Sequence, residues 1–406
     1  MSTAPRRFSQ RRRRRLFFTS LVAVLLLGSG GYVAEAAMAD LPEPTLALAS
    51  AETAIVEADP STAQAVVDAQ TLPTAIGWAD DDDVWSNDDE THPLGSITKL
   101  IMVLVSMDED PLEPGTEGET YTWTAEDAEL TNYYIAQDGV AFYIPVGAEL
   151  TQRDMLKFIF LPSANDVAHS YALWRFGSIE AFLEKLEAWK IKYDLPSITL
   201  VEPTGMDTKD QANPADLVRV ARLALEIPAI AELNGMQTAE MPWGIGTIEN
   251  SNPLLGSMPG IVGTKTGTIY SSYNFVVSQH IDVDGREATS IAVTLDRASK
   301  EDRAASGREV LTAMGGLASE VSVVKAGEQV ATLTSVDGQV APLVADGEAS
   351  AVLLPGETAE RSISADASSL TVTGPAGETA IPIVRTSEFS EPDLWWRITN
   401  PGLVFG

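Results

Sequence analysis

Behind Gly95-Ser96-Ile97-Thr98-Lys99, every residue from Leu100 to Val105 is apolar, and Met107 follows after one serine. The run predicts a helix that is hydrophobic on nearly all sides, which belongs in the middle of a domain. Its only charge is Lys99, three residues after Ser96, so the two side chains share one face. A buried ammonium is costly unless partners surround it or it gives up its proton. A neutral lysine beside a serine hydroxyl is a general base beside a nucleophile. The pair Ser96/Lys99 is therefore the candidate catalytic centre.

The totals narrow the alternatives. The chain of 406 residues has no cysteine, which excludes disulfides, thiolate nucleophiles and cysteine metal sites. Its three histidines, His92, His169 and His280, form no H-x-x-x-H pattern, so neither a metal nor a cofactor is expected. The net charge is −31, although seven of the 27 basic residues (Arg6, Arg7 and Arg11 to Arg15) lie at the N-terminus. An acidic remainder repels phosphate backbones, so nucleic acid is not an expected partner.

Four regions follow in order. Residues 1–39 join the arginine block to the apolar stretch Leu16 to Ala34. They read as a signal peptide cleaved near Ala37-Met38-Ala39, or as a membrane anchor long enough to span. Residues 40–72, rich in Ala, Pro and acids, read as a flexible tether. Asp80 to Asp83 suggest a solvated hairpin tip. Residues 73–318 read as one α+β domain. Within it, Tyr121 to Gly147 reads as loop and short strand. Thr151 with Asp154 caps a helix that Pro162 stops. Helices follow from Asp166, closed by Gly177, from Ser178, and from Asn213-Pro214. After Ile261 the period becomes that of strands, with a hairpin at Asp284-Gly285, and a helix returns at Arg303 to Met314. Residues 319–406 read as a small all-β domain with an aromatic end, Trp395-Trp396 to Gly406, that is too short for an amphipathic membrane helix.

Three segments combine. Ser96-x-x-Lys99 opens the buried helix, Ser163-Ala164-Asn165 lies in an inter-helix turn, and Lys265-Thr266-Gly267-Thr268 lies on a strand. Singly these motifs are weak. Ser322-Val323-Val324-Lys325 repeats the first in a strand-like run, and Ser272-Tyr273-Asn274 repeats the second by chance. Their order, spacing and contexts together match one architecture. The chain resembles the serine-type D-alanyl-D-alanine carboxypeptidases, the low-molecular-weight penicillin-binding proteins. The resemblance covers most of 73–318, and the β-rich tail is similar to the family's smaller second domain. It implies the penicillin-binding-protein/β-lactamase-like fold, an antiparallel sheet with helices on both sides. It also implies an exported enzyme at the cell membrane or wall. That enzyme trims the terminal D-alanine of peptidoglycan stem peptides and is acylated by β-lactam antibiotics.

The roles follow. Ser96 attacks the D-Ala-D-Ala carbonyl and Lys99 takes its proton. Ser163 relays a proton to the leaving amine, and Asn165 holds Lys99 and the substrate amide. Lys265 keeps the field positive. The N–H groups of Ser96 and Thr268 face the oxyanion. Gly267 leaves room for the peptide along its strand. Thr266 and Thr268 donate to the substrate carboxylate, and Arg297 occupies the place of the family's carboxylate-binding arginine. The chain departs from the family pattern at Glu202-Pro203-Thr204-Gly205-Met206 and after Thr268, where Ile269 to Ser272 is bulky. The rival readings are a class A β-lactamase, a catalytically silent wall-binding module and a transpeptidase.

Overall fold

The computed structural model describes residues 8–49, 53–283 and 285–405, so Asp284 of the expected hairpin turn lies outside the described residues. The principal elements begin with α1 (Phe8–Met38), β1 (Thr45–Leu48), β2 (Thr53–Glu57) and α2 (Ser61–Asp68). Then come β3 (Thr74–Trp78), β4 (Val84–Ser86), α3 (Ile97–Met107), α4 (Ala125–Ile135), α5 (Gln152–Phe160) and α6 (Asn165–Phe176). They continue with α7 (Ile179–Lys192), α8 (Pro214–Glu226), α9 (Pro228–Gly235), β5 (Ile261–Ile269), β6 (Ser272–Val283), β7 (Arg286–Arg297) and α10 (Lys300–Gly315). The last are β8 (Gln329–Thr334), β9 (Val340–Ala345), β10 (Thr358–Ile363), β11 (Ser369–Gly374), β12 (Gly377–Arg385), α11 (Leu394–Thr399) and α12 (Pro401–Val404). They form two compact units, one of Glu57–Ser319 with Val352–Glu357, the other of Met1–Val56, Glu320–Ala351 and Thr358–Gly406.

The first unit is built on a five-stranded antiparallel sheet in the order β5-β6-β7-β3-β4. Alternate residues feed two cores, as the two-residue period of a strand requires. Ala75, Val276 and Val293 join α3 and α5 to α8 on one face. Ile76, Phe275, Val277 and Ala292 join α2 and α10 on the other. Every residue of α3 is buried, as its apolar run demands. The helices α5, α7 and α8 start at Thr151, Ser178 and Asn213, whose side chains accept from backbone N–H groups three residues on. Strand β5 forms one edge of this sheet.

Two regions differ from the sequence expectation. The stretch read as loop holds α4, capped reciprocally by Thr124 and Asp127. Its buried face is Asp127, Thr131 and Tyr134, polar residues at helical spacing, so no hydrophobic period marks it. In place of a flexible tether, residues 40–72 carry β1, β2 and α2. These strands are short and gain their partners only from distant sequence.

Those two strands are both edges of the second unit's sheet, ordered β1-β8-β9-β12-β11-β10-β2. Seven strands laid flat would separate the edges by about 29 Å. Yet Leu48 and Thr53 are five residues apart, a reach of at most ~19 Å. The sheet must therefore curl strongly, bringing its first and last strands near each other.

Candidate active site

Ser96 precedes α3 with its side chain half-exposed, and its hydroxyl makes no capping bond. Instead Lys99 Nζ lies 2.9 Å from Ser96 Oγ and donates to the Thr204 carbonyl at 2.6 Å. Lys99 is wholly buried, and burial pushes its pKa down to about 7, against the pull of Glu202, Asp166 and Asp210. The lysine can thus be neutral at physiological pH while hydrogen-bonded to the hydroxyl it would deprotonate.

A second serine–lysine pair is assembled from distant sequence. Lys265 Nζ donates to Ser163 Oγ at 2.9 Å and approaches the Thr266 carbonyl at 3.2 Å. Ser163 follows Pro162 in the turn before α6 and sits at φ 70°, a left-handed conformation unusual for serine. Such strain is held only where the surroundings over-determine it. Lys265 is also buried, and its pKa falls well below the ordinary lysine value. Burial is the main cause, with Lys99 and Arg303 adding repulsion.

Backbone segments close around the nucleophile. A Cβ on Gly95 would lie 2.7 Å from Thr268 N, so the turn before Ser96 abuts β5 directly. A Cβ on Gly205 would fall 1.9 Å from the Gly95 carbonyl oxygen, at φ 84°, so the loop 202–206 fits only with glycine there. That loop is braced by Glu202, whose carboxylate accepts from Thr204 N at 2.7 Å and Met206 N at 2.6 Å. Burial raises Glu202, but bonds from Asp210 and from this loop outweigh it and hold it low. Asp210 is raised to about 8 by burial and by the neighbouring Glu202, and its buried Oδ2 has no hydrogen-bond partner among the described residues.

A family model of D-alanyl-D-alanine carboxypeptidases matches residues 84–299, which include all three motifs. The chain belongs to the D-alanyl-D-alanine carboxypeptidase family. It is 25% identical over 189 residues to the D-alanyl-D-alanine carboxypeptidase DacF of Bacillus subtilis, covering 45% of this chain and 46% of that one. It is 27% identical over 150 residues to a D-alanyl-D-alanine endopeptidase of Pseudomonas aeruginosa, covering 36% and 44%. The chain spans about half the length of these curated relatives. In fold it is similar to the crystal structure of a Streptomyces DD-transpeptidase, with TM-score 0.52 and 20% identity over 60% of this chain and 95% of that one.

In this member of the carboxypeptidase family, several residues sit differently from the sequence expectation. Asn165 is buried, but Lys99 takes its second bond from the Thr204 carbonyl rather than from Asn165. Lys265 faces Lys99 and Arg303 rather than any anion, so it is a poor resident source of positive field. Gly267 also makes room for the Leu94 carbonyl, which a Cβ would meet at 2.2 Å. Thr266 Oγ1 is paired with Ser251 Oγ at 2.7 Å, while Thr268 is exposed.

Arg297 points away from the site. Its guanidinium donates to the carbonyls of Pro73 and Leu295, to Thr74 Oγ1 and to Ser306 Oγ. Burial lowers it to about 10. The cause is local: Asp296 adopts φ 59°, which turns the strand end. Arg303, from the first turn of α10, reaches the site instead. It donates to Thr268 Oγ1 at 3.2 Å and Gly267 O at 3.3 Å, with its buried Nε unpartnered among the described residues.

Asn274 went unrecognised in the repeated Ser-x-Asn. Its Nδ2 donates to the Pro93 and Leu94 carbonyls, and its Oδ1 accepts from Asp296 N. It ties the turn before Ser96 to β6. His92 Nδ1 lies 2.7 Å from Asp296 Oδ2, and His169 Nδ1 lies 2.7 Å from Tyr134 Oη.

Proposed function

We propose that the protein is a serine D-alanyl-D-alanine carboxypeptidase that trims the terminal D-alanine from peptidoglycan stem peptides. It would work on the outer face of the cell membrane, attached through its N-terminal segment. The observation that carries the reading is the 2.9 Å contact between Ser96 Oγ and a buried Lys99 whose proton is lost near neutrality.

In this reading Ser96 Oγ attacks the carbonyl carbon of the D-Ala-D-Ala bond and its proton passes to Lys99 Nζ. The oxyanion takes the N–H groups of Ser96 and Thr268. As the tetrahedral intermediate collapses, Ser163 passes its proton to the leaving amine and is resupplied by Lys265, and the proton that Lys99 took from Ser96 restores Lys265, so that both lysines end as they began. D-Alanine departs, leaving an ester on Ser96. Water then attacks the ester, its proton passing by way of Lys99 to Ser96 Oγ, which leaves as the restored hydroxyl. Arg303 with Thr268 receives the substrate carboxylate. A β-lactam follows the same first step, but its ring opens without a departing fragment, so the ester persists.

A β-lactamase needs a free carboxylate to activate water. Both oxygens of Glu202 are occupied by amides of its own loop, which disfavours that reading. The test is D-alanine release from a peptide ending in D-Ala-D-Ala, wild type against Ser96→Ala. An alanine variant of equal activity ends the proposal. Because matched relatives include endopeptidases, a cross-linked dimeric peptide and an added D-amino acid acceptor belong in the same assay. Faster cleavage of the former, or transfer to the latter, would move the assignment within the family.

A further inference from the structure

The second unit brings the two ends of the chain together at one place. Helix α1 contains a 26-residue segment, Arg13–Met38, that is long and apolar enough by composition to cross a membrane. Leu16, Phe17, Phe18, Leu21, Val22 and Val24 are exposed along it. Its last two turns are different. Ala36 is completely buried, and Tyr32 donates its hydroxyl proton to the Ile398 carbonyl at 2.7 Å. The Tyr32 ring lies 6.0 Å from that of Phe405. Arg397 donates to the carbonyls of Ala39 at 2.9 Å and Ala36 at 3.4 Å. These are carbonyls at the end of α1, where a helix lacks intrahelical donors and favours a cation. The guanidinium is itself buried.

The other side of this tail is apolar and open. Leu394, Trp395, Leu403 and Phe405 are exposed, Trp395 by 73%. The distances fit a bilayer. From Leu16 to Tyr32 the helix rises about 24 Å, and to Met38 about 33 Å, against a hydrocarbon core of about 30 Å. With the arginine block at one boundary, Tyr32 and the tail stand at the other, the level at which tryptophan and tyrosine gather. Glu388, Glu391 and Asp393 line the approach to the tail, so anionic lipid gives it no electrostatic attraction.

We infer that α1 is a retained membrane span and that the C-terminal tail, clamped to its outer end by Arg397 and Tyr32, seats Leu394, Trp395, Leu403 and Phe405 in the outer interface of a phospholipid bilayer. Cleavage at Ala37-Met38-Ala39 would require that segment to be extended. In the folded chain, its helical geometry and the bonds from Arg397 hold it out of that extended form.

The test uses the full-length chain, produced in bacterial membranes and reconstituted into phosphatidylcholine vesicles. Intact mass should show α1 still present, and a mature chain beginning near Asp40 overturns the inference. The chain has no cysteine, so Trp395→Cys and Leu403→Cys each carry a single thiol-linked fluorophore. Lipids bearing a quencher high on the acyl chain should reduce each signal at least about twofold, with little change on adding phosphatidylglycerol or salt. A probe that only aqueous iodide quenches contradicts it. Arg397→Ala should speed protease cleavage between 36 and 39 at least tenfold, while its thermal melt matches wild type. If that variant melts normally and is cut no faster, the clamp is wrong.

Discussion

Ser96–Lys99 and Ser163–Lys265 are the same chemical pair built twice, each with a 2.9 Å contact. One is local, a single helical turn. The other joins residues 102 positions apart on a turn and a strand. Their electrostatic surroundings differ more than their geometry. Lys99 is buried among acids (Glu202, Asp166 and Asp210) that hold its pKa near 7. For Lys265 the neighbouring charges are cations, Lys99 and Arg303, which add to the lowering by burial instead of opposing it. Burial sets the direction in both, and neighbouring charge decides how far each goes. The first pair is therefore poised to exchange a proton at physiological pH. The second has no carboxylate partner of its own among the charges that shift it, and a substrate with a free carboxylate would supply one.

The largest break in this comparison should come from Lys99→Ala. Loss of a positioned base should slow acylation by on the order of 10³-fold or more, measured by fluorescent penicillin labelling. Lys265→Ala should cost roughly 10²-fold, because Ser163 remains to relay a proton. Equal losses would show that the pairs act as one unit, and the double variant would then add little further.

The arginines sharpen the contrast between site and scaffold. Arg303→Gln should raise KM for a carboxylate-terminated peptide about tenfold and leave the melting temperature nearly unchanged. Arg297→Gln should do the reverse, costing about 2 kcal/mol of stability through its lost bonds to buried acceptors while KM stays put. Swapped outcomes would return Arg297 to the site.

Protonation gives smaller effects. Lys99 must be neutral to accept a proton, and its lowered pKa makes it neutral above about 7. Hence kcat/KM should rise with pH through about 7. The charge of Glu202 pulls the Lys99 pKa upward, so Glu202→Gln should move that limb to lower pH, by roughly half a unit. A limb that moves upward would contradict the assigned field.

Much of this site could be read from sequence because its chemistry is written in short segments. The apolar run behind Lys99 forced a buried helix, and the three motifs met around it. What escaped depended on long-range fit. Arg297 and Arg303 are six residues apart, and only the left-handed turn at Asp296 decides which one faces Thr268. Helix α4 was invisible because Asp127, Thr131 and Tyr134 bury a polar face, with Thr131 bonded to Asp166 and Tyr134 to His169. The Thr204 carbonyl reaches Lys99 only because Gly205 allows its loop to touch Gly95. Strands β1 and β2 gave no signal because four or five residues acquire meaning only beside β8 and β10.

The curled sheet also imposes an order of events. Its two border strands, Thr45–Leu48 and Thr53–Glu57, precede their neighbours by more than 270 positions in the chain. Until then those borders have nothing to pair with, and the intervening unit can complete its own core meanwhile. Closure of the sheet is thus a late step, one that waits for the strands between residues 329 and 385.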